Sequence, residues 1–196
     1  MDWRAYHAVN VFVGHNSWLG SVFRVVETLS IPVMVVACVA LWLLARPGTA
    51  SKWKLAAVSA LASAAVALIV NKIVAAIWTR DRPYLHHTAR VWGPRKTDIS
   101  FPSDHTSASF AIAVAVLLYD RVAGGLLLVA AILIGGGRVV VGEHYPGDVL
   151  AGVLIGTAAA LLVVRLGRPV VAWIARLVGR LTDPVLAPVW RLRSRA

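Results

Sequence analysis

Apolar residues along this chain fall in long blocks separated by short polar stretches. The predominantly apolar blocks occupy residues 31–45, 55–78, 101–119, 126–141 and 146–164. A helix of about 20 apolar residues crosses a hydrocarbon layer of roughly 30 Å, so each block is a candidate span, the first at the short end of the range. The pattern predicts an all-α, polytopic membrane helical bundle: one domain over residues 1–196 with five transmembrane helices, or six if the N-terminal segment also crosses.

The flanks read differently. Over residues 1–30, Trp3, Tyr6, Val9, Val11, Phe12, Trp18 and Phe23 alternate with polar residues, which suits an amphipathic helix lying at the headgroup level. Residues 166–196 set Trp173, Ile174, Leu177, Leu181 and Trp190 against Arg176, Arg180, Arg191, Arg193 and Arg195. This predicts a basic amphipathic tail on the membrane surface, interrupted near Pro184. Pro102 is placed to open the third span, since proline costs nothing in a first helical turn. Gly135, Gly136 and Gly137 permit close packing, and Gly152 and Gly156 form a small-xxx-small pair. Stepping back from these by fours reaches Asp148 and then His144, which predicts one helical stripe carrying all four.

Composition fits this frame. The 196 residues are 59% hydrophobic and 15% charged, with mean hydropathy +0.73, too apolar for an ordinary soluble domain. The net charge of +11 does not point to nucleic acid, because the basic residues flank apolar blocks and do not gather into a stripe with aromatics. Cys38 is the single cysteine, so no internal disulfide can form. Asp2, Arg4, Arg24 and Glu27 break the charged-then-apolar order of a cleavable signal, and none is expected.

Five spans divide the basic residues between two faces. One face receives Arg46, Lys52, Lys54, Arg121, Arg165, Arg168, Arg176, Arg180, Arg191, Arg193 and Arg195; the other receives Arg4, Arg24, Lys72, Arg80, Arg82, Arg90, Arg95, Lys96 and Arg138. By the positive-inside rule the first face is cytoplasmic, so the second is extracytoplasmic, in a cell membrane.

Three polar clusters meet on that second face: Lys72, Arg80 and Arg82; then Ser103, Asp104 and His105 at a helix start; then Arg138, His144 and Asp148. Ionisable residues at membrane depth mark sites. Fixed cations beside helix N-terminal N–H groups suit a phosphate group. Two histidines add a nucleophile and a general acid. An aspartate one turn after His144 would hold the far imidazole nitrogen as a donor. Alternatives stay open: a structural His–Asp pair, half of a metal site, or an intramembrane relay of Arg138, His144, Asp148 and Lys72 in a proton-coupled transporter.

The motifs resemble those of the membrane-bound type 2 phosphatidic acid phosphatases, whose pattern is K-x6-R-P, P-S-G-H and S-R-x5-H-x3-D. Arg82-Pro83 matches the first, Pro102, Ser103 and His105 the second, and Arg138, His144 and Asp148 the third. Lys72 lies ten residues before Arg82 instead of seven, Asp104 replaces the glycine, and Gly137 replaces the serine. The stretch around these motifs is similar to the bacitracin-resistance branch, which implies hydrolysis of undecaprenyl pyrophosphate. The resemblance implies a phosphohistidine on His144, orientation by Asp148 and proton donation by His105. It further implies phosphate binding by Arg82 and Arg138, with Ser103 assisting and Lys72, Arg80 and Asp104 as further candidates. It implies no metal and no cofactor, and a lipid phosphate or pyrophosphate as substrate. Phosphatidylglycerophosphate or phosphatidic acid as substrate, and phosphotransfer to another lipid, remain alternatives, and the oligomeric state is left open.

Plainer readings attach to the other residues. Lys72 can snorkel to the interface. Arg90, Arg95 and Lys96 read as loop charges, with Arg80 the best exception. His86 and His87 read as solvated, Glu143 as facing water, and Tyr84 and Trp92 as interfacial anchors.

Overall fold

The computed structural model describes residues 2–45 and 52–193. Among them are eight helices and no strand: α1 (Asp2–His15), α2 (Ser17–Leu44), α3 (Lys52–Ile77), α4 (Pro83–His86), α5 (Asp104–Leu117), α6 (Arg121–Val140), α7 (Pro146–Arg165) and α8 (Arg168–Arg193). The all-helical expectation stands. Four of these, α2, α3, α6 and α7, are long and apolar enough to cross a membrane. Their outward positions, such as Ile69, Ile73, Leu126, Val129, Leu150 and Leu154, are exposed and apolar, as a lipid solvent requires.

The third predicted span is the exception. It folds as α5, only 14 residues long and thus about 21 Å, yet it is the centre of the bundle, packed against α3, α6 and α7. Its length need not match lipid, because Thr106 through Ala113 are all buried in protein. Small residues let the backbones close in. A Cβ on Gly156 would stand 2.4 Å from the Ser107 carbonyl oxygen, and one on Gly152 would stand 2.9 Å from Thr106 Cβ. The buried hydroxyls of Ser63 and Ser109 donate to carbonyls of their own helices at 2.6 and 3.1 Å, so neither is left unpaired in an apolar layer.

Several boundaries differ from the sequence expectation. The first span begins at Ser17, not residue 31, because the mixed segment 17–30 continues straight into the apolar run and its polar members Glu27 and Ser30 are buried against the bundle. Only α1 is peripheral; it lies across one end of the bundle, where Tyr6 donates to the Gly142 carbonyl (3.1 Å). α8 runs through Pro184 without a break. Its polar face is tied to the bundle by Lys54–Asp183 (2.5 Å) and by Trp42 Nε1 donating to Thr182 (3.2 Å). Pro102 precedes α5, whose N-cap is Ser103. The polar break between the first two apolar blocks predicts a turn of Arg46, Pro47, Gly48, Lys52 and Lys54, but Lys52 and Lys54 open α3; Arg46, Pro47 and Gly48, and the side chains of Trp190, Arg191, Arg193 and Arg195, lie outside the described residues.

Candidate active site

The end of the bundle that α1 covers gathers the α3–α5 loop, the start of α5 and the turn between α6 and α7. That turn is tight. Gly142 has φ +86°, and a Cβ there would meet the Arg90 carbonyl oxygen at 2.4 Å, a conformation and a fit that only glycine allows. The reversal puts both Glu143 N–H and His144 N–H on the Arg138 carbonyl, at 3.1 and 3.2 Å. His144 therefore sits on the turn and not on a helix. The predicted four-residue stripe shortens to Asp148, Gly152 and Gly156, because α7 starts at Pro146.

His144 is buried, with its two ring nitrogens in unlike surroundings. Nε2 accepts from Arg138 Nη2 (3.1 Å) and lies 3.4 Å from Arg82 Nη1. Nδ1 faces Asp148 Oδ2 at 3.6 Å and Ser100 Oγ at 3.3 Å, and Ser100 Oγ donates to the same carboxylate oxygen at 2.6 Å. Two donors at Nε2 and an acceptor beyond Nδ1 select the tautomer protonated on Nδ1, which leaves the Nε2 lone pair toward the guanidinium groups. Burial pushes the imidazole down to about 4. The Asp148 hydrogen bond opposes that shift, and the Arg138 and Arg82 charges add to it.

The cations are held by carboxylates. Arg138 Nη2 and Arg82 Nη1 both donate to Glu143 Oε2, at 2.6 and 3.1 Å. Arg138 Nη1 donates to Glu27, and Arg82 Nε donates to Asp98 (2.8 Å). Burial raises the Glu143 pKa, but the Arg138, Lys96 and Arg82 charges outweigh it and hold the carboxyl below the usual range. Glu143 is therefore a fully buried counter-ion, correcting the expectation that it faces water. Its charge is stable there only because three cations surround it.

A cavity of about 500 Å³ opens onto this cluster, lined among others by His144, Arg138, Arg82, Lys96, His105, Asp104, Lys72 and Asn71. His105 and Asp104 lie in the first turn of α5, where Ser103 makes no side-chain cap, so its hydroxyl does not occupy the orphan N–H groups of that turn. At the mouth, Asp104 accepts from Asn71 (2.7 Å) and meets Lys72 at 3.5 Å. Such a pocket can bind an oxyanion beside an unprotonated imidazole with a second imidazole nearby. Among the described residues no group of three His, Cys, Asp or Glu side chains could hold a metal ion.

Six expected site residues, His144, His105, Arg82, Arg138, Lys72 and Asp104, thus line one cavity, with Asp148 behind His144. Two do not line it. Arg80 stacks on the Tyr145 ring (3.8 Å) and pairs with Asp148 Oδ1 and Asp2, at 2.9 and 2.7 Å. Ser103 is buried, its Oγ accepting from Thr106 (3.0 Å). Tyr84 is not an interfacial anchor but is buried under the loop, and Trp92 packs on Gly20. His87 stacks on Trp3 (3.7 Å), while exposed His86 pairs with Asp81 (2.7 Å). Ser100, Glu27, Asp98 and Lys96 were not anticipated. Glu27, an acid inside an apolar helix, was the one legible signal among them.

The chain is similar to known proteins in sequence and in fold. The family model described as the PAP2 superfamily matches residues 56–171. The chain is 29% identical over 180 residues to undecaprenyl-diphosphatase BcrC of Bacillus subtilis, covering 90% of this chain and 91% of that one. The fold is similar to the PAP2-type phosphatidylglycerolphosphate phosphatase of Bacillus subtilis, with TM-score 0.66, 19% identity and coverage of 86% and 85%. It is also similar to LpxE of Aquifex aeolicus, with TM-score 0.60, 22% identity and coverage of 83% and 93%.

Proposed function

Because the chain belongs to the PAP2 superfamily, we propose that it is a membrane phosphatase that hydrolyses a polyprenyl diphosphate, with undecaprenyl diphosphate as the preferred substrate. The observation that carries the mechanism is the placement of His144 Nε2, 3.1 Å from Arg138 and 3.4 Å from Arg82, on a cavity it shares with His105. The relative named undecaprenyl-diphosphatase, similar along nine-tenths of the chain, supports the substrate.

The Nε2 lone pair attacks the terminal phosphorus. The P–O bond to the bridging oxygen breaks, the lipid monophosphate leaves, and His105 donates a proton to that oxygen. A P–N bond now joins phosphate to His144, whose Nδ1–H is held by Ser100 and Asp148. Water then attacks phosphorus and gives its proton to His105, the P–N bond breaks with its electron pair returning to Nε2, and inorganic phosphate departs. Arg82 and Arg138 neutralise the equatorial oxygens, so no metal is needed for charge. A lipid monophosphate is an easier leaving group than an alkoxide, which favours the diphosphate over phosphatidic acid.

In the same proposal α2, α3, α5, α6 and α7 form five crossings, with the site on the extracytoplasmic face. The face away from the site carries eleven lysines and arginines against nine on the site face, which supports this orientation.

The test is purified protein in detergent with undecaprenyl diphosphate, phosphatidic acid and phosphatidylglycerophosphate side by side, in EDTA. Phosphate release from the diphosphate fastest, and undiminished by EDTA, is expected. His144→Ala should lower turnover by on the order of a thousandfold or more with folding retained. A metal requirement, or near-normal turnover in that variant, contradicts the mechanism. Adding an acceptor lipid without loss of free phosphate separates hydrolysis from phosphotransfer.

A further inference from the structure

Three cationic side chains converge on Glu143 Oε2: Arg138 at 2.6 Å, Arg82 at 3.1 Å and Lys96 at 3.5 Å. The first two are buried on the cavity floor and are well bonded. Lys96 is 37% exposed and lines the cavity. Its contact lies at the outer limit of a hydrogen bond, on an oxygen that two shorter bonds already use. An ammonium has three donors, so Lys96 keeps donors to spare toward the cavity.

Its backbone is fixed. Lys96 N–H donates to the Tyr84 hydroxyl (2.8 Å), and that hydroxyl donates to the Lys96 carbonyl (3.0 Å). Tyr84 is buried two residues after Arg82, and the Arg95 guanidinium lies over its ring at 5.8 Å. The same short segment thus places Arg82 and clamps the loop that carries Lys96. Of the other basic side chains, Lys72 is far more exposed than Lys96, at 78%, and Arg80 is committed to Asp148 and Asp2; position 75, seven residues before Arg82 where the family pattern sets its lysine, is an alanine.

We propose that Lys96 is the third cation of the phosphate site, binding the phosphoryl oxygens of the diphosphate alongside Arg138 and Arg82. The inference rests on the reading of the cavity as a phosphate site.

It is tested with Lys96→Met, Lys96→Arg and, as control, Arg121→Met, an exposed charge at the end of α6 away from Arg138, measuring kcat and KM on undecaprenyl diphosphate and inhibition by inorganic phosphate. For Lys96→Met, KM and the phosphate inhibition constant should both rise by roughly tenfold or more, the loss of one charge-assisted contact. Lys96→Arg should recover most of both, and Arg121→Met should change neither more than about twofold. Tyr84→Phe, which keeps the charge and removes the clamp, should raise KM by a smaller factor, and it carries the test if Lys96→Met does not fold. Wild-type KM and phosphate inhibition in Lys96→Met, or in Tyr84→Phe where only that variant folds, overturn the inference while leaving the activity in place. An inactive wild-type protein overturns the activity itself.

Discussion

Arg138 and Glu143 form an ion pair of 2.6 Å in which the two side chains are 1% and 0% exposed. The acid sits on the turn that reverses the chain after α6, and it aims the guanidinium at His144 Nε2. It also means that the proposed phosphate site is built around an anion of its own.

Replacing Glu143 by Gln should therefore destabilise the protein. Breaking a buried pair costs about 3–5 kcal/mol because the remaining charges lose compensation. The melting temperature should fall, and inorganic phosphate should restore more of it in the variant than in the wild type, since a bound anion replaces the lost carboxylate. A variant as stable as the wild type without phosphate would show that Glu143 does not balance the arginines.

Asp148 reaches His144 mainly through Ser100, at 2.6 and 3.3 Å against 3.6 Å directly. Ser100 is a positioning residue. Ser100→Ala removes a hydrogen bond to a charged group, about 1.5–3 kcal/mol, and should lower kcat by roughly 10- to 150-fold with KM little changed. Ser100→Thr should recover part of the loss. An unchanged rate of phosphohistidine formation in the alanine variant would remove Ser100 from the relay.

The pH dependence follows from the burial of His144, which lowers its pKa from the ordinary 6.5 to about 4. His144, the proposed nucleophile, stays unprotonated through neutral pH, so its acid limb should appear only near pH 4. Between pH 6.5 and about 4 the unfolded chain takes up a proton here that the folded chain does not. The contribution to stability is thus intact above pH 6.5 and lost as pH falls. Single-turnover phosphohistidine formation that fell with a midpoint near 6.5 would contradict this.

Gly156→Ala should perturb the bundle core. The new Cβ would lie 2.4 Å from the Ser107 carbonyl oxygen and 2.9 Å from the Ala111 nitrogen, both backbone atoms of α5. Overpacking of this kind costs about 1–3 kcal/mol. Activity should fall with stability, because the same two helices place His105 and Asp148. Gly136→Ala, where nothing lies within 4 Å, is the matched control and should fold as the wild type does.

The helices were legible because apolar block length is a local property matched to a layer of fixed thickness. The spacing of Arg138, His144 and Asp148 was legible because it is confined to the last turn of α6, the reversal after it and the first turn of α7. The start of α2 was misplaced for the converse reason. Glu27 and Ser30 made residues 17–30 look interfacial, whereas partners elsewhere bury them. Glu143 was misread as solvated because its partners Arg82 and Arg138 come from two separate elements, and Lys96 because an exposed-looking loop hides a clamp on Tyr84.

The sequence by itself determined the helical membrane class, the family resemblance and the candidate site residues, since periodicity and motif spacing depend on neighbours along the chain. Only the tertiary structure decided which cations face the cavity, that Glu27 and Glu143 hold them and that Ser100 links Asp148 to His144. Arg138 and Glu27 are 111 residues apart, and a pairing over that distance is set by how the helices pack, which no local pattern records.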